Sequence, residues 1–212
     1  MGGESTLPRI AQAYLLAGGG STRFGRDKAL VEIDGIAMLL RMRALLGAVC
    51  QQVTVIAPPL RYAALGVTAV SDRWEGQGPL AGIITALLST RESGAVAEWN
   101  LIVGCDMPFL TREWLSYLAQ RAFVSRAEVV TPRSPLGLEP LCACWRTSAA
   151  AKLKNVFDGG VRKITEAMKS LEMEVVDEAD WKRFDSAGRL FWNMNTLADF
   201  DEAKRILEAQ RA

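Results

Sequence analysis

The sequence predicts an α/β fold: a three-layer sandwich with a mostly parallel central sheet. Three observations predict it. Short apolar, β-branched runs alternate with runs of helical periodicity through the first two-thirds of the chain. A glycine-rich, cationic stretch, "LLAGGGSTRFGRDKAL" (15–30), comes directly after the first apolar run. Aspartates stand at the carboxyl ends of two later runs, the edge where ligands bind in open α/β sheets.

"AYLLA" (13–17) reads as the first strand, with a loop to about residue 36. Met38, Met42, Leu45, Leu46 and Val49 then recur at helical spacing. "VTVIA" (53–57) is a second strand ended by Pro58-Pro59, and "VTAVSD" (67–72) a short third. Gly78-Pro79 opens a helix with Leu80, Ile83, Ile84, Leu87 and Leu88 on one face. "NLIVGCDMPF" (100–109) is a strand that turns at Asp106, and Thr111 is positioned to cap the next helix. Strands follow at 128–132 and 141–146, helices at 147–157 and 161–171, and a strand at 172–177. The last helix places Leu197, Phe200, Ala203 and Leu207 on one face. The segment 133–170 breaks the alternation and could form a smaller lobe, but no linker sets it apart, so one domain is expected over 1–212 with 1–11 as a flexible tail.

The 212 residues suffice for a full hydrophobic core. Half of them are hydrophobic and 23% charged, which argues against a disordered chain. A net charge of +1 argues against nucleic acid as the main partner. No apolar run reaches the ~18–20 residues of a membrane helix, and the start "MGGESTLPRIAQ" lacks a signal peptide's basic end and apolar centre. "MGGEST" meets only the loose pattern for myristoylation. No membrane association and a cytoplasmic location are therefore expected. The chain has no histidine, which excludes His-based triads and Cys2His2 zinc sites. Cys105, Cys142 and Cys144 lie in strand-like runs and read, with Cys50, as small buried hydrophobes. The six tryptophans read as core or half-buried packing.

The glycine-rich stretch calls for a phosphate-bearing ligand. Gly18, Gly19 and Gly20 let the backbone approach a ligand closely, and successive N–H groups there can form an anion nest. Arg23 and Lys28 add charge-assisted donors for phosphate oxygens. The P-loop pattern fails, because Gly20 and Gly25 precede Arg26-Asp27-Lys28 with no Ser or Thr after the lysine. The GxGxxG fingerprint fails because Arg23 stands where its last glycine belongs. Asp106, and Asp72 after the third strand, are candidates for Mg²⁺ and phosphate contacts, although an aspartate after a strand is also a common turn or cap.

"LAGGGSTRFGRDK" (16–28) resembles the signature L-A-G-G-x-S-x-R-x-G-x-x-K of the molybdenum cofactor guanylyltransferase family. "GPLAGI" (78–83), "GCDMPFL" (104–110), "GVRKITEAM" (160–168) and "NMNTLADF" (193–200) resemble further segments of that family in the same order. The resemblance implies a nucleotide-diphospho-sugar-transferase-like fold and transfer of a nucleoside monophosphate, with Mg²⁺, to a phosphorylated acceptor. It implies Arg23, Lys28 and Asp106 as catalytic residues, with Asp106 on the metal. Leu16, Ala17, Gly18, Gly19, Lys28, Asp72 and Asp106 would bind the nucleotide, and Arg162, Lys163 and Asn195 the acceptor. The acceptor phosphate is largely ionised at pH 7, so the attack on the α-phosphorus needs no general base.

Relatives that use CTP carry L-A-A-G; the second glycine here implies GTP, with molybdopterin as acceptor. A cytidylyltransferase, a phospholactate guanylyltransferase and an inactive nucleotide-binding module remain the alternatives. A monomer is expected, with a cofactor-delivery protein as a conceivable partner. Three positions depart from the family pattern. Glu139-Pro140 stands in place of His-Pro, Thr196-Leu197 in place of Thr-Pro, and Ile56 where a base-contacting Asn is common.

Overall fold

The computed structural model describes residues 10–18, 27–94 and 97–209. The strands are β1 (Ile10–Leu16), β2 (Glu32–Ile33), β3 (Ile36–Ala37), β4 (Cys50–Ile56), β5 (Ala69–Val70), β6 (Trp99–Gly104), β7 (Val129–Ser134), β8 (Gly137–Leu138), β9 (Cys142–Arg146) and β10 (Met173–Val176). The α-helices are α1 (Met38–Gly47), α2 (Pro79–Glu92), α3 (Arg112–Val124), α4 (Ala149–Asp158), α5 (Ile164–Ala167), α6 (Glu178–Trp181) and α7 (Leu197–Ala209).

The central sheet runs in the order β10-β7-β9-β6-β1-β4-β5, with β8 paired to β7. β1 pairs in parallel with both β4 and β6, β4 with β5, and β7 with β10. β9 is antiparallel to both β6 and β7. The segment from 133 to 170 is thus no separate lobe: its strand β9 is inserted into the sheet, and its helices lie on the same face as α2.

Alternation along each strand builds the three layers. Ala13 and Leu15 of β1, Leu101 and Val103 of β6, and Cys142 and Cys144 of β9 face a core shared with α1, α3 and α7. Tyr14, Ile102, Ala143 and Trp145 face the other core, under α2, α4 and α5. β6 is buried at every residue, as a strand covered on both faces must be. α2 is buried nearly all round, from Leu80 to Leu88, because it lies along the switch between β1 and β6 and is covered by α4.

The sequence-predicted elements are present with shifted ends. β1 starts at Ile10, inside the expected tail, because Ile10 is buried. Thr111 caps α3 by accepting from Trp114 N. On α7 the buried face is Phe200, Ala203 and Ile206, whereas Leu197 is exposed at the helix's first position. The expected helix 161–171 is a single turn, α5, followed by a 3-10 turn. Within the expected loop to residue 36 lies a hairpin, β2–β3, turned by Asp34 (φ 55°) and Gly35 (φ 71°); two successive positive φ values are what a two-residue Asp-Gly hairpin turn requires. All four cysteines are buried thiols.

Candidate active site

The site sits where the sheet order reverses. After β1 the chain goes to β4 and β5 on one side, then to β6 on the other. β1 and β6 are neighbours whose onward connections serve opposite sides of the sheet, the arrangement that places a crevice at the carboxyl ends of the strands. Leu16 pairs with Gly104 in the last register. Beyond it, Cys105 N donates to Leu16 O (3.1 Å) and Ala17 N to Ile56 O (3.3 Å). The resulting cleft of about 360 Å³ is lined by Leu16, Ala17, Gly18, Lys28, Asp72 and Asp106, among others.

Asp106 and Lys28 face each other there. Lys28 Nζ lies 3.8 Å from Asp106 Oδ2 and donates to Asn195 Oδ1 (3.2 Å). Burial pushes the Asp106 carboxyl above its ordinary range, and the Lys28 ammonium pulls it part of the way back. Gly104 makes the room: a Cβ there would lie 2.9 Å from Asp106 Oδ1. Gly82 lets α2 pack closely on β1, since a Cβ there would lie 3.0 Å from Leu16 Cδ2 and press that side chain aside.

The third member of the cluster arrives from the far end of the chain. Met194 N donates to Asp106 O (2.9 Å) and docks the approach to α7 against the β6 loop. Thr196 and Asp199 form a reciprocal cap: Thr196 N donates to Asp199 Oδ2 (2.8 Å) and Asp199 N to Thr196 Oγ1 (3.2 Å). Asn195 N also donates to Asp199 Oδ2 (2.8 Å), which fixes Asn195 beside Lys28. Asn195, expected on the acceptor side, is thus in direct contact with the cationic centre.

Other expected residues fall differently. Asp72 lines the cleft, but its Oδ1 accepts from Trp74 N and Thr85 Oγ1, both at 3.0 Å, and so pins its loop to α2. Arg162 and Lys163 are exposed and outside the cleft lining. Arg162 closes the end of α4 by donating to Phe157 O (2.6 Å), stacks on the Phe157 ring, and holds Gln77 Oε1 (2.9 Å). Arg162, expected on the acceptor side, thus also clasps the end of α4. Arg23 and Gly19 lie outside the described residues.

The departures have structural explanations. Glu139 is buried after β8 and accepts from Ser134 Oγ (2.6 Å); it braces the hairpin and does not line the cleft. Ile56 lines the cleft with an apolar side chain. Leu197 opens α7, a position that proline also suits.

Three further residues, Asp27, Arg61 and Tyr62, support the site. Asp27 Oδ1 accepts from Ala29 N (3.0 Å) and caps the short turn bearing Lys28. Arg61 Nε and Tyr62 Oη both donate to Asp27. Asp27, a good cap type ahead of Lys28, was readable as such. Tyr62, in the irregular "PPLRYAAL", was not. Among the described residues the cleft lining carries the carboxylates of Asp27, Asp72 and Asp106 and the ammonium of Lys28; Asp27 and Asp72 are engaged by neighbouring donors of the fold. That lining holds no activated thiol, because burial, reinforced by the charges of Asp106 and Asp27, keeps Cys105 protonated.

Residues 13–173 match the model of the MobA-like NTP transferase domain. The chain belongs to this family. It is 33% identical over 195 residues to a "Probable molybdenum cofactor guanylyltransferase" of Chloroflexus aggregans, covering 90% of this chain and 91% of that protein. It is 28% identical over 198 residues to a "Molybdenum cofactor guanylyltransferase" of Syntrophotalea carbinolica, covering 93% and 92%. Among solved structures, "Molybdopterin-guanine dinucleotide biosynthesis protein A" from Archaeoglobus fulgidus superimposes with a TM-score of 0.80 at 24% identity, over 93% of this chain and 99% of that one. The MobA-like fold accounts for the position of the cleft: the two segments that carry Lys28 and Asp106 begin at the carboxyl ends of neighbouring strands, β1 and β6.

Proposed function

We propose that this chain transfers GMP from GTP to the terminal phosphate of molybdopterin and releases pyrophosphate. The observation that carries the reading is the convergence of Lys28 and Asp106, 3.8 Å apart, at the switch between β1 and β6. The relatives' names supply the nucleotide and the acceptor. An acceptor phosphate oxygen attacks the α-phosphorus, its bond to phosphorus forms as the α–β bridging bond breaks, and the electron pair leaves with pyrophosphate. Positioning and charge neutralisation supply the catalysis. Lys28 neutralises phosphate charge, and Asn195, by holding Lys28, sets where that charge stands. The backbone of Leu16, Ala17 and Gly18 lines the nucleoside end.

Asp106 suits Mg²⁺. It is a hard oxygen donor, 28% exposed at its side chain and open to the cleft. No cluster of three or more acidic, Cys or His ligands occurs among the described residues, and Mg²⁺ is commonly held by one or two carboxylates with substrate phosphates and water completing its shell. Bound there, it would screen the α- and β-phosphate charges.

Guanine is favoured by Gly18. Among the described residues a Cβ at that position would meet Ile56 O, at an ordinary 3.5 Å. The missing methyl at the cleft wall leaves room for the larger base. The test is product formation from molybdopterin with GTP or CTP, with Mg²⁺ or chelator. A guanine dinucleotide and pyrophosphate, lost on chelation, support the proposal. A cytosine dinucleotide alone overturns the base, and no product with either overturns the activity.

A further inference from the structure

Tyr62 is 1% exposed. Its ring joins the core on the α1 side, and its hydroxyl reaches two separate pieces of the active site. It lies 3.1 Å from Ala17 O, at the end of β1. It also lies 3.2 and 3.0 Å from the two oxygens of Asp27. Ala17 and Asp27 bracket residues 18–26, the stretch with the glycines and Arg23. One hydroxyl, with a single hydrogen shared among these acceptors, thus faces both ends of the phosphate-loop segment.

Asp27 is the part of this arrangement that reaches Lys28. Its Oδ1 caps the turn Lys28–Leu30, and its Oδ2 takes both Nε and a terminal nitrogen of Arg61 at 2.8 Å. A three-residue 3-10 turn does not hold itself in water. A lysine ammonium, on a four-carbon stem, is a poorly fixed point charge unless its base is held. Asp27, Arg61 and Tyr62 hold that base against β1. Burial, with Asp27 alongside, pushes the Tyr62 phenol up, so it remains a donor throughout the neutral range.

We infer that Tyr62, acting through Asp27 and together with Arg61, is the positioning residue for Lys28: it ties the carboxyl end of β1 to the turn that carries the ammonium, and so sets the charge against the nucleotide phosphates. This inference rests on the nucleotidyl-transfer reading above. It adds three residues to the site, none of which is assigned to bind substrate.

The test is a double-mutant cycle on Tyr62→Phe and Lys28→Ala, read as affinity for GTP with Mg²⁺ by calorimetry, as kcat/KM for transfer, and as the melting temperature without ligand. Tyr62→Phe keeps the ring and removes the hydroxyl. It is expected to weaken affinity and kcat/KM by about tenfold in the Lys28 protein, and affinity by less than about twofold once Lys28 is Ala, because coupled residues are not additive. Asp27→Asn is the second variant and is expected to show the same pattern should Tyr62→Phe not fold. An equal loss in both backgrounds, or a lower melting temperature with unchanged affinity and kcat/KM, overturns the positioning role and makes Tyr62 a fold residue. If Lys28→Ala itself leaves affinity and transfer unchanged, the nucleotidyl-transfer reading falls and the inference with it. If Lys28→Ala is inactive while Tyr62→Phe and Asp27→Asn match wild type, only the inference falls.

Discussion

The two ends of the central sheet use polar groups in opposite ways. At the amino end a largely buried chain of hydrogen bonds ends on the backbone. Tyr14 Oη donates to Thr90 Oγ1 (2.9 Å), Thr90 to Asn100 Oδ1 (2.6 Å), Asn100 Nδ2 to Thr147 Oγ1 (2.9 Å), and Thr147 to Ala97 O. Each hydroxyl has one hydrogen, and the directions follow from that. At the carboxyl end Asp106 sits where burial disfavours its charge, opposite a lysine at 3.8 Å and beside a glycine that leaves it room. The first end spends its polar groups on the fold. The second keeps charge at some cost to the fold, in an arrangement that a charged ligand completes.

Three substitutions test that contrast, the largest effect first. Asp106→Asn is expected to lower turnover by about 10²–10³-fold without lowering the melting temperature. The sign follows from the raised carboxyl: the fold binds the proton more tightly than the unfolded chain, so ionisation costs stability and a neutral amide removes that cost. A lower melting temperature would show that Asp106 serves the fold after all. Asn100→Ala should do the reverse. It leaves Thr90 only the longer bond to Ala86 O (3.4 Å) and Thr147 without its donor, at about 2 kcal/mol, or roughly 4–8 °C in melting temperature for a chain of this size. Activity per folded molecule should be unchanged. Gly104→Ala is the intermediate case. Its added Cβ meets the Asp106 carboxylate at 2.9 Å, so kcat should fall about tenfold through displaced charge. Unchanged kcat would show that Asp106 can move without consequence.

What the sequence revealed follows the same division. β1, β6 and the turn at Asp106 were legible because strand period and motif coincide there. The direction of β9 was not, because an antiparallel strand buried on both faces shows the same apolar run as a parallel one. The Asp34-Gly35 hairpin left a local signal, but its strands are only two residues long, too short for an alternation to show. Tyr62 left none: its partners are 45 and 35 residues away, and no periodicity records such a contact. Arg162 shows the converse limit. Its place in a family segment gave no sign that its guanidinium also meets the Phe157 carbonyl near the end of α4.

Two carboxylates away from the cleft sharpen the comparison at its smallest scale. Burial pushes Glu139 up, and its bond from Ser134 only partly offsets that. For Asp199, burial acts in the same direction, but the N–H groups of Asn195 and Thr196, the Thr196 hydroxyl and the Lys28 charge outweigh it and hold the carboxyl below its usual range. The two therefore tilt stability against pH in opposite senses. Asp199 stabilises the fold above its unfolded pKa of ~3.9, and that contribution is lost as pH falls through its lower folded value. Glu139 costs stability once pH rises from its unfolded ~4.3 through its higher folded value. Denaturant melts from pH 3 to 7 should show Asp199→Asn flattening the acid limb, and Glu139→Gln flattening the decline above it, each by less than about 1 kcal/mol. A Glu139→Gln protein with the wild-type slope would mean that the Ser134 bond fully stabilises the charged form, and the hairpin would then resemble the amino end of the sheet.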